Sequence, residues 1–151
     1  SFYTAYQGHV YQFAAPADSA YKKIADLKGQ KIGISTIAGG QYPYLLATLK
    51  DAGKSVGAGK DVEIAEVGRG GPALIALKDK RVAAYSASFV DMMAIELQGM
   101  KLHRFNEGPT STFISDSLVA TKESLDKDPK TAIGLARAEC LGSKSRRRTA
   151  A

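Results

Sequence analysis

The chain carries one cysteine, two histidines and no tryptophan. A single thiol, Cys140, excludes an internal disulfide framework and a cysteine-built zinc site. It does not fix a compartment, because exported bacterial proteins often lack disulfides. His9 and His103 lie far apart in the sequence, with no ligand-spaced cysteine or carboxylate nearby. A structural role is expected for both, and no metal. No apolar run is long enough to cross a bilayer. The chain also lacks a Gly-x-Ser-x-Gly elbow, paired carboxylates within one loop and a base close in sequence to a serine. No catalytic residue is assigned on these grounds, and no cofactor is expected.

What is present suits one globular domain with a real core: 151 residues, 44% hydrophobic and 24% charged. The net charge of +6 is unevenly placed. "LGSKSRRRTAA", from Leu141 onward, holds four basic residues and no acidic one, which leaves 17 basic and 15 acidic residues before it. Nucleic-acid binding needs basic residues gathered on a folded face. Here they gather in a segment without apolar periodicity, so no nucleic-acid partner is expected. Residues 139–151 are read as a disordered or non-native tail. The opening "SFYTAYQGHVYQF" reads like the middle of a sheet, as in a chain whose leader has been removed or a piece of a longer one.

Strands and helices alternate along the body. "HVYQFAAPA" is extended and stopped by Pro16, "AYKKIADLKGQ" is a short helical turn, and "KIGIS" is a buried strand. A helix follows with Leu45, Leu46, Leu49 and Ala52 on one face and Pro43 in its first turn. "DVEIAEV" and "RVAAYSAS" are the next strands, separated by a short helix with Pro72 near its start. "FVDMMAIELQG" is a helix with Val90, Met93, Ala94 and Leu97 on its apolar face, closed by Gly99. "MKLHRF" and "SDSLVAT" are the fourth and fifth strands, and Asp128 caps a last helix that opens on Pro129. The pattern implies an α/β fold: a mostly parallel five-stranded sheet with helices on both faces.

Ligands of such sheets bind where loops leave the carboxyl ends of the strands. Three polar, glycine- or serine-rich loops fall there. In the first, Ser35 and Thr36 bring hydroxyls, and Ala38, Gly39 and Gly40 lead into a helix start whose free N–H groups attract an anion or polar acceptor. Gln41 and Tyr42 reach a ligand from the first turn. The same residues also suit a simpler arrangement, in which Thr36 caps the helix and the glycines shape the bend. In the second loop, Gly68, Gly70 and Gly71 offer backbone donors, and Arg69 either pairs with an anion or is solvated. Its spacing matches neither a P-loop nor a dinucleotide fingerprint, which argues against a nucleotide. In the third, Ser86 and Ser88 offer hydroxyls, and Tyr85 is either a stacking surface or core.

The series "IADLKGQKIGIS", "YPYLLATLKDAG", "GKDVEIAEVGRGGPALIALKDKRVAAYSAS", "AIELQGMKL" and "SDSLVAT" resembles the substrate-binding proteins of ABC importers. The nearest group handles nitrate, sulfonates, taurine and thiamine pyrimidine precursors. The likeness runs in order from about Ala14 to Ala138. It implies one lobe of a two-lobed periplasmic-binding-protein-like fold, a small polar or anionic solute closed between the lobes, a membrane permease as partner, and no catalysis. It also implies a periplasmic or extracellular location, with membrane association through the transporter. "VYQFAAPADS" matches the way into the second lobe and "FISDSLVAT" the way out. The expected organisation is a hinge and first-lobe remnant over 1–23, the second lobe over 24–105, a return hinge and first-lobe helix over 106–138, and the tail. The rest of the first lobe is then missing at both ends, and an exposed interlobe face would favour dimers of the fragment.

Two departures from the family pattern stand out. Ala83 occupies a position that is acidic in many relatives, and Ser88 and Phe89 stand where many have a Trp-Asp pair. The identity of the ligand therefore does not carry over. Two other functions share the plan. One is the effector-sensing domain of a transcriptional regulator, which an upstream helix-turn-helix would mark. The other is an enzyme of thiamine-pyrimidine synthesis, whose cysteine-rich active-site stretch has no counterpart here.

Overall fold

A computed structural model describes residues 2–4, 10–105 and 117–148. Residues 10–105 belong to one compact unit, and residues 2–4 and 117–148 to another. Residues 5–9 and 106–116, which include His9 and much of the expected return hinge, lie outside the described residues.

In the larger unit, β2 (Tyr11–Pro16) is followed by a 3₁₀ turn (Ile24–Leu27), β3 (Gln30–Ile34), α1 (Gln41–Asp51), β4 (Val62–Glu66), α2 (Gly71–Lys78), β5 (Ala84–Ser88), α3 (Phe89–Leu97) and β6 (Leu102–Arg104). The smaller unit holds β1 (Tyr3–Thr4), β7 (Ser117–Leu118), α4 (Lys122–Lys127) and α5 (Pro129–Arg148). The five strands of the larger unit form one sheet in the order β4-β3-β5-β2-β6. Strand β3 pairs in parallel with β4 and β5, whereas β2 pairs antiparallel with β5 and with β6.

The expected α/β class holds, with one correction to the sheet. Strands β3 to β6 share a direction, but β2 runs against them between β5 and β6, so the sheet is mixed. Strand β2 can take that inner place because Phe13, Ala14 and Ala15 are all buried, giving it apolar side chains on both faces. The fifth strand is thus Tyr11–Pro16 and not "SDSLVAT". From the latter, Ser117–Leu118 pairs with Tyr3–Thr4 in a separate two-stranded ribbon.

Topology explains the layers. The chain moves from β3 outward to β4, then back past β3 to β5 and on to β6. Reversing direction while keeping right-handed crossovers puts the helices on opposite faces. Accordingly α1 and the 3₁₀ turn pack on one face, where Leu45, Leu49, Ile24 and Leu27 meet Phe13, Ile32 and Ile34. Helices α2 and α3 cover the other, where Leu74, Leu77, Met92 and Ile95 meet Ala14, Tyr85 and Ala87.

The apolar face of α3 differs from the expected one. Met92 and Ile95 are fully buried, while Val90, Met93 and Leu97 are 59%, 51% and 86% exposed. The helix is apolar almost all round, so periodicity alone cannot choose a face. The choice is made at its start, where α3 leaves β5 without a linker. Ser88 accepts a hydrogen bond from the Asp91 N–H at 3.3 Å, and the Phe89 N–H donates to the Val10 carbonyl at 2.8 Å. At its far end, Glu96 forms a bidentate pair with Arg104 of β6, at 2.9 and 2.8 Å.

In the smaller unit, Asp128 caps α5 by accepting from the Thr131 N–H at 3.1 Å. The helix continues through Arg148, past the point where the tail reading begins. That stretch contains no proline and several strong helix formers. Cys140, part-buried and unpaired, lies on this helix. His103 has a structural setting: a ring nitrogen lies 2.8 Å from the Lys22 carbonyl, and the ring stands at right angles to that of Phe105.

Candidate functional site

Because β3, β4 and β5 are mutually parallel, their carboxyl ends share one rim, and the three glycine- and serine-rich segments emerge side by side. The register confirms this, with Ile34 opposite both Glu66 and Ser86. The amino-terminal end of the antiparallel β2 reaches the same rim, where Tyr11 stands opposite Ser88. Three helices begin here: α1 after Gly40, α2 after Gly70 and α3 after Ser88.

The first loop is braced from within. Gln41, 3% exposed, turns its carboxamide back to donate to the Ser35 hydroxyl and, at 3.0 Å, to the Thr36 carbonyl. Thr36 does not cap α1; its hydroxyl accepts from the Ala38 N–H at 3.3 Å, and the cap position is Gly40. A side chain at Gly39 would overlap the Gln41 carboxamide, and one at Gly40 would meet the Tyr11 hydroxyl at 2.6 Å. Any larger residue at either position would therefore have to push the Gln41 or Tyr11 side chain aside. Ser35 and Gln41 are buried members of this brace, whereas Ala38 and Gly40 are exposed and Thr36, Gly39 and Tyr42 half-buried.

Ser86–Ser88, expected as a third loop, is instead the end of β5, because its backbone pairs with β2 up to Ser88. The second loop is tied to this strand through Tyr85. Its ring is core, packed among the residues beneath α2, and its hydroxyl donates to the Gly68 carbonyl at 2.9 Å. Burial pushes the phenol up from its ordinary value, and the Asp91 carboxylate adds to this. Arg69 and a hydrogen bond from Ser35 act the other way. Tyr85 is thus a neutral donor that fixes the loop. Gly70, with φ 57 and ψ −117, holds a conformation open to glycine alone, and it turns the chain into α2 with half-buried Gly68 and Gly71 at its sides.

Ser88 caps α3, and its hydroxyl donates to Asp91 at 2.8 Å. Ser86 is fully buried, facing Phe13 and Ile34 on the neighbouring strands. Its hydroxyl has no hydrogen-bond partner among the described residues.

Two carboxylates on the rim escaped the sequence reading. Glu66, the last residue of β4, accepts from the Ile37 N–H of the first loop at 2.9 Å. Asp91 lies 3.9 Å from Arg69 and joins the second loop to the start of α3. Asp91 had a legible signal, because Ser88-x-x-Asp91 has capping-box spacing. Glu66 had none, since its partner is 29 residues away. Among the described residues, no cluster of three His, Cys, Asp or Glu is close enough to hold a metal. A concavity of about 1000 Å³ lies at the opposite rim, between Pro16 and Lys101, away from all three segments.

Solved structures that this chain is similar to include periplasmic binding proteins. Against the aliphatic sulphonate binding protein SsuA of Escherichia coli the TM-score is 0.64 at 19% identity, covering 97% of this chain and 51% of that one. For an arginine transport-system periplasmic binding protein of Legionella pneumophila the values are 0.58, 18%, 95% and 60%. For a putative sulfonate-binding SsuA of Methylobacillus flagellatus they are 0.57, 22%, 80% and 35%. At these identities the likeness establishes the fold, and the chain spans between about a third and three fifths of each. No curated protein matches the sequence. The family model described as NMT1/THI5 like matches residues 1–143, nearly the whole chain. With its sheet order, its three helix starts on one rim and that match, the chain belongs to the NMT1/THI5-like family.

Proposed function

We propose that the chain is part of the solute-binding component of an ABC-type importer, and that the loop rim forms one wall of its ligand cleft. The observation that carries this reading is the convergence of two loops, the end of β5 and three helix amino termini on a single rim. Each helix start offers N–H groups and a partial positive charge to an anionic or polar guest. Ser35–Gln41, Gly68–Gly71 and Ser86–Ser88 supply the wall, with Thr36, Gly39, Gly40, Tyr42, Gly70 and Ser88 as its accessible contacts.

Gln41, Tyr85 and Asp91 act as braces that hold the amides in place before the solute arrives. Such preorganisation raises affinity by reducing the ordering cost of binding. The second wall and the closure that excludes water come from the other lobe, and a membrane permease reads the closed state. The fold of the neighbours and their transport-related names support this reading, and with it a periplasmic location. Catalysis is not part of the proposal. The Ser35 hydroxyl accepts from the Gln41 amide, and the Ser88 hydroxyl caps α3 while donating to Asp91, so both hold the rim in shape.

The test is an amide chemical-shift titration of the chain with alkanesulfonates, taurine, nitrate and amino acids, each to about 10 mM, where binding is worth only about 3 kcal/mol. The expected result is weak, saturable shifts confined to residues 36–42, 68–71 and 86–89 for at least one anionic solute. Shifts elsewhere, or none with any solute, would overturn the site. Submicromolar binding would instead overturn the claim that a second wall is needed.

A further inference from the structure

The concavity at the opposite rim is built differently from the loops. Leu77, Val82 and Met100 give it apolar lining, and Lys78, Lys80 and Lys101 stand along it, with Asp18 as the acidic residue of the lining. All three lysines are exposed, and among the described residues none has a carboxylate within ion-pair distance.

Lys80 is also the one non-glycine described residue with positive φ, at 55. It sits just past the end of α2, where its N–H donates to the Leu77 carbonyl at 3.1 Å and the Arg81 N–H donates to the Ala76 carbonyl at 2.9 Å. Glycine is the favoured residue at this left-handed helix stop, because a Cβ there is strained. A lysine is thus held in a backbone conformation that glycine would relax, in the lining that Lys78 and Lys101 share. Strain of this kind points to a role for the side chain.

We propose that this groove docks a short extended segment of a partner protein whose acidic side chains alternate with apolar ones. Three unpaired ammonium groups above an apolar lining are complementary to that pattern. The volume is at the upper end for small-molecule sites, more than a lone anion fills. Lysine, a point charge on a flexible stem, tolerates carboxylates presented at varied positions along a segment, where a fixed planar fork would not.

The test pans a display library of random eight-residue peptides against the chain and measures the selected peptides by fluorescence anisotropy. Expected are peptides enriched in Asp or Glu beside apolar residues. Their affinity should fall about thirtyfold in K78E/K80E/K101E, several exposed charge contacts being lost and reversed together. Lys80→Gly separates contact from stability. It should weaken binding about threefold while leaving the melting temperature equal to or above that of the parent. The proposal is overturned if no acidic enrichment emerges, if the triple variant binds equally, or if Lys80→Gly lowers the melting temperature. It is also overturned if anionic phosphatidylglycerol vesicles, and no peptide, bind with the same lysine dependence.

Discussion

The brace inside the first loop can be tested by a double-mutant cycle on Gln41 and Gly39. Gln41 donates two hydrogen bonds from a buried carboxamide, to the Ser35 hydroxyl and the Thr36 carbonyl. At a net 0.5–1.5 kcal/mol each, the pair stabilises the loop by about 2 kcal/mol. A methyl group at Gly39 would overlap that carboxamide and expel it, losing the same bonds. Gly39 is not at positive φ, so alanine also brings a gain of about 0.4–1 kcal/mol by restricting the unfolded chain. In the parent, Gly39→Ala should therefore destabilise by about 1 kcal/mol. In a Gln41→Ala background there is no carboxamide to expel, and the same substitution should stabilise by about 0.5 kcal/mol. Urea unfolding of the four proteins, extrapolated to water, gives the coupling directly. A coupling below about 0.5 kcal/mol, or the same sign for Gly39→Ala in both backgrounds, would refute the idea that this carboxamide organises the loop.

Ser86→Ala removes a buried hydroxyl that lacks a partner, so it should stabilise by about 1 kcal/mol and raise the melting temperature by about 2–4 °C. A comparable fall in calorimetry would mean that the hydroxyl is satisfied in solution. Gly33→Ala places a Cβ 3.0 Å from Val67 and 3.1 Å from Val82, against the Tyr85 ring, and should destabilise by about 1–3 kcal/mol in denaturant titration; a neutral result would show that these three side chains have room to give. The hydrogen bond from Arg104 holds the Glu96 carboxyl below its usual range. A depressed folded pKa contributes stability that is present above the unfolded value, about 4.3, and lost as pH falls through the folded one. The stability difference between the parent and Arg104→Met should therefore shrink on going from pH 7 to pH 3, and a difference constant across that range would refute the pairing.

Local chemistry explains which parts were legible. Val62, Ile32 and Ile34 sit in apolar β-branched strand runs, and Asp128 followed by Pro129 is a favoured helix start. Parallel β3, β4 and β5 follow from the alternation, because a helix between two strands returns the chain to the same end of the sheet. The rim was legible for that reason: the chain segments that follow Ile34, Glu66 and Ser88 are neighbours once their strands are. The side chains within the rim were not all legible, since Gln41 belongs to a helix that also contains Leu45 and Leu49, and nothing in its spacing says that it folds back onto Ser35.

By itself the sequence determined the alternation of elements, the turns that only glycine can make and the end of the sheet where polar loops gather, because propensity and capping act over a few residues. Tertiary structure alone decided that Tyr11–Pro16 enters the sheet against its neighbours. It likewise decided that Met92 and Ile95, and not Val90 and Met93, face inward, and that Glu66 reaches the first loop. Those outcomes depend on which surfaces are buried against each other across tens of residues, and burial is a property of the packed chain as a whole.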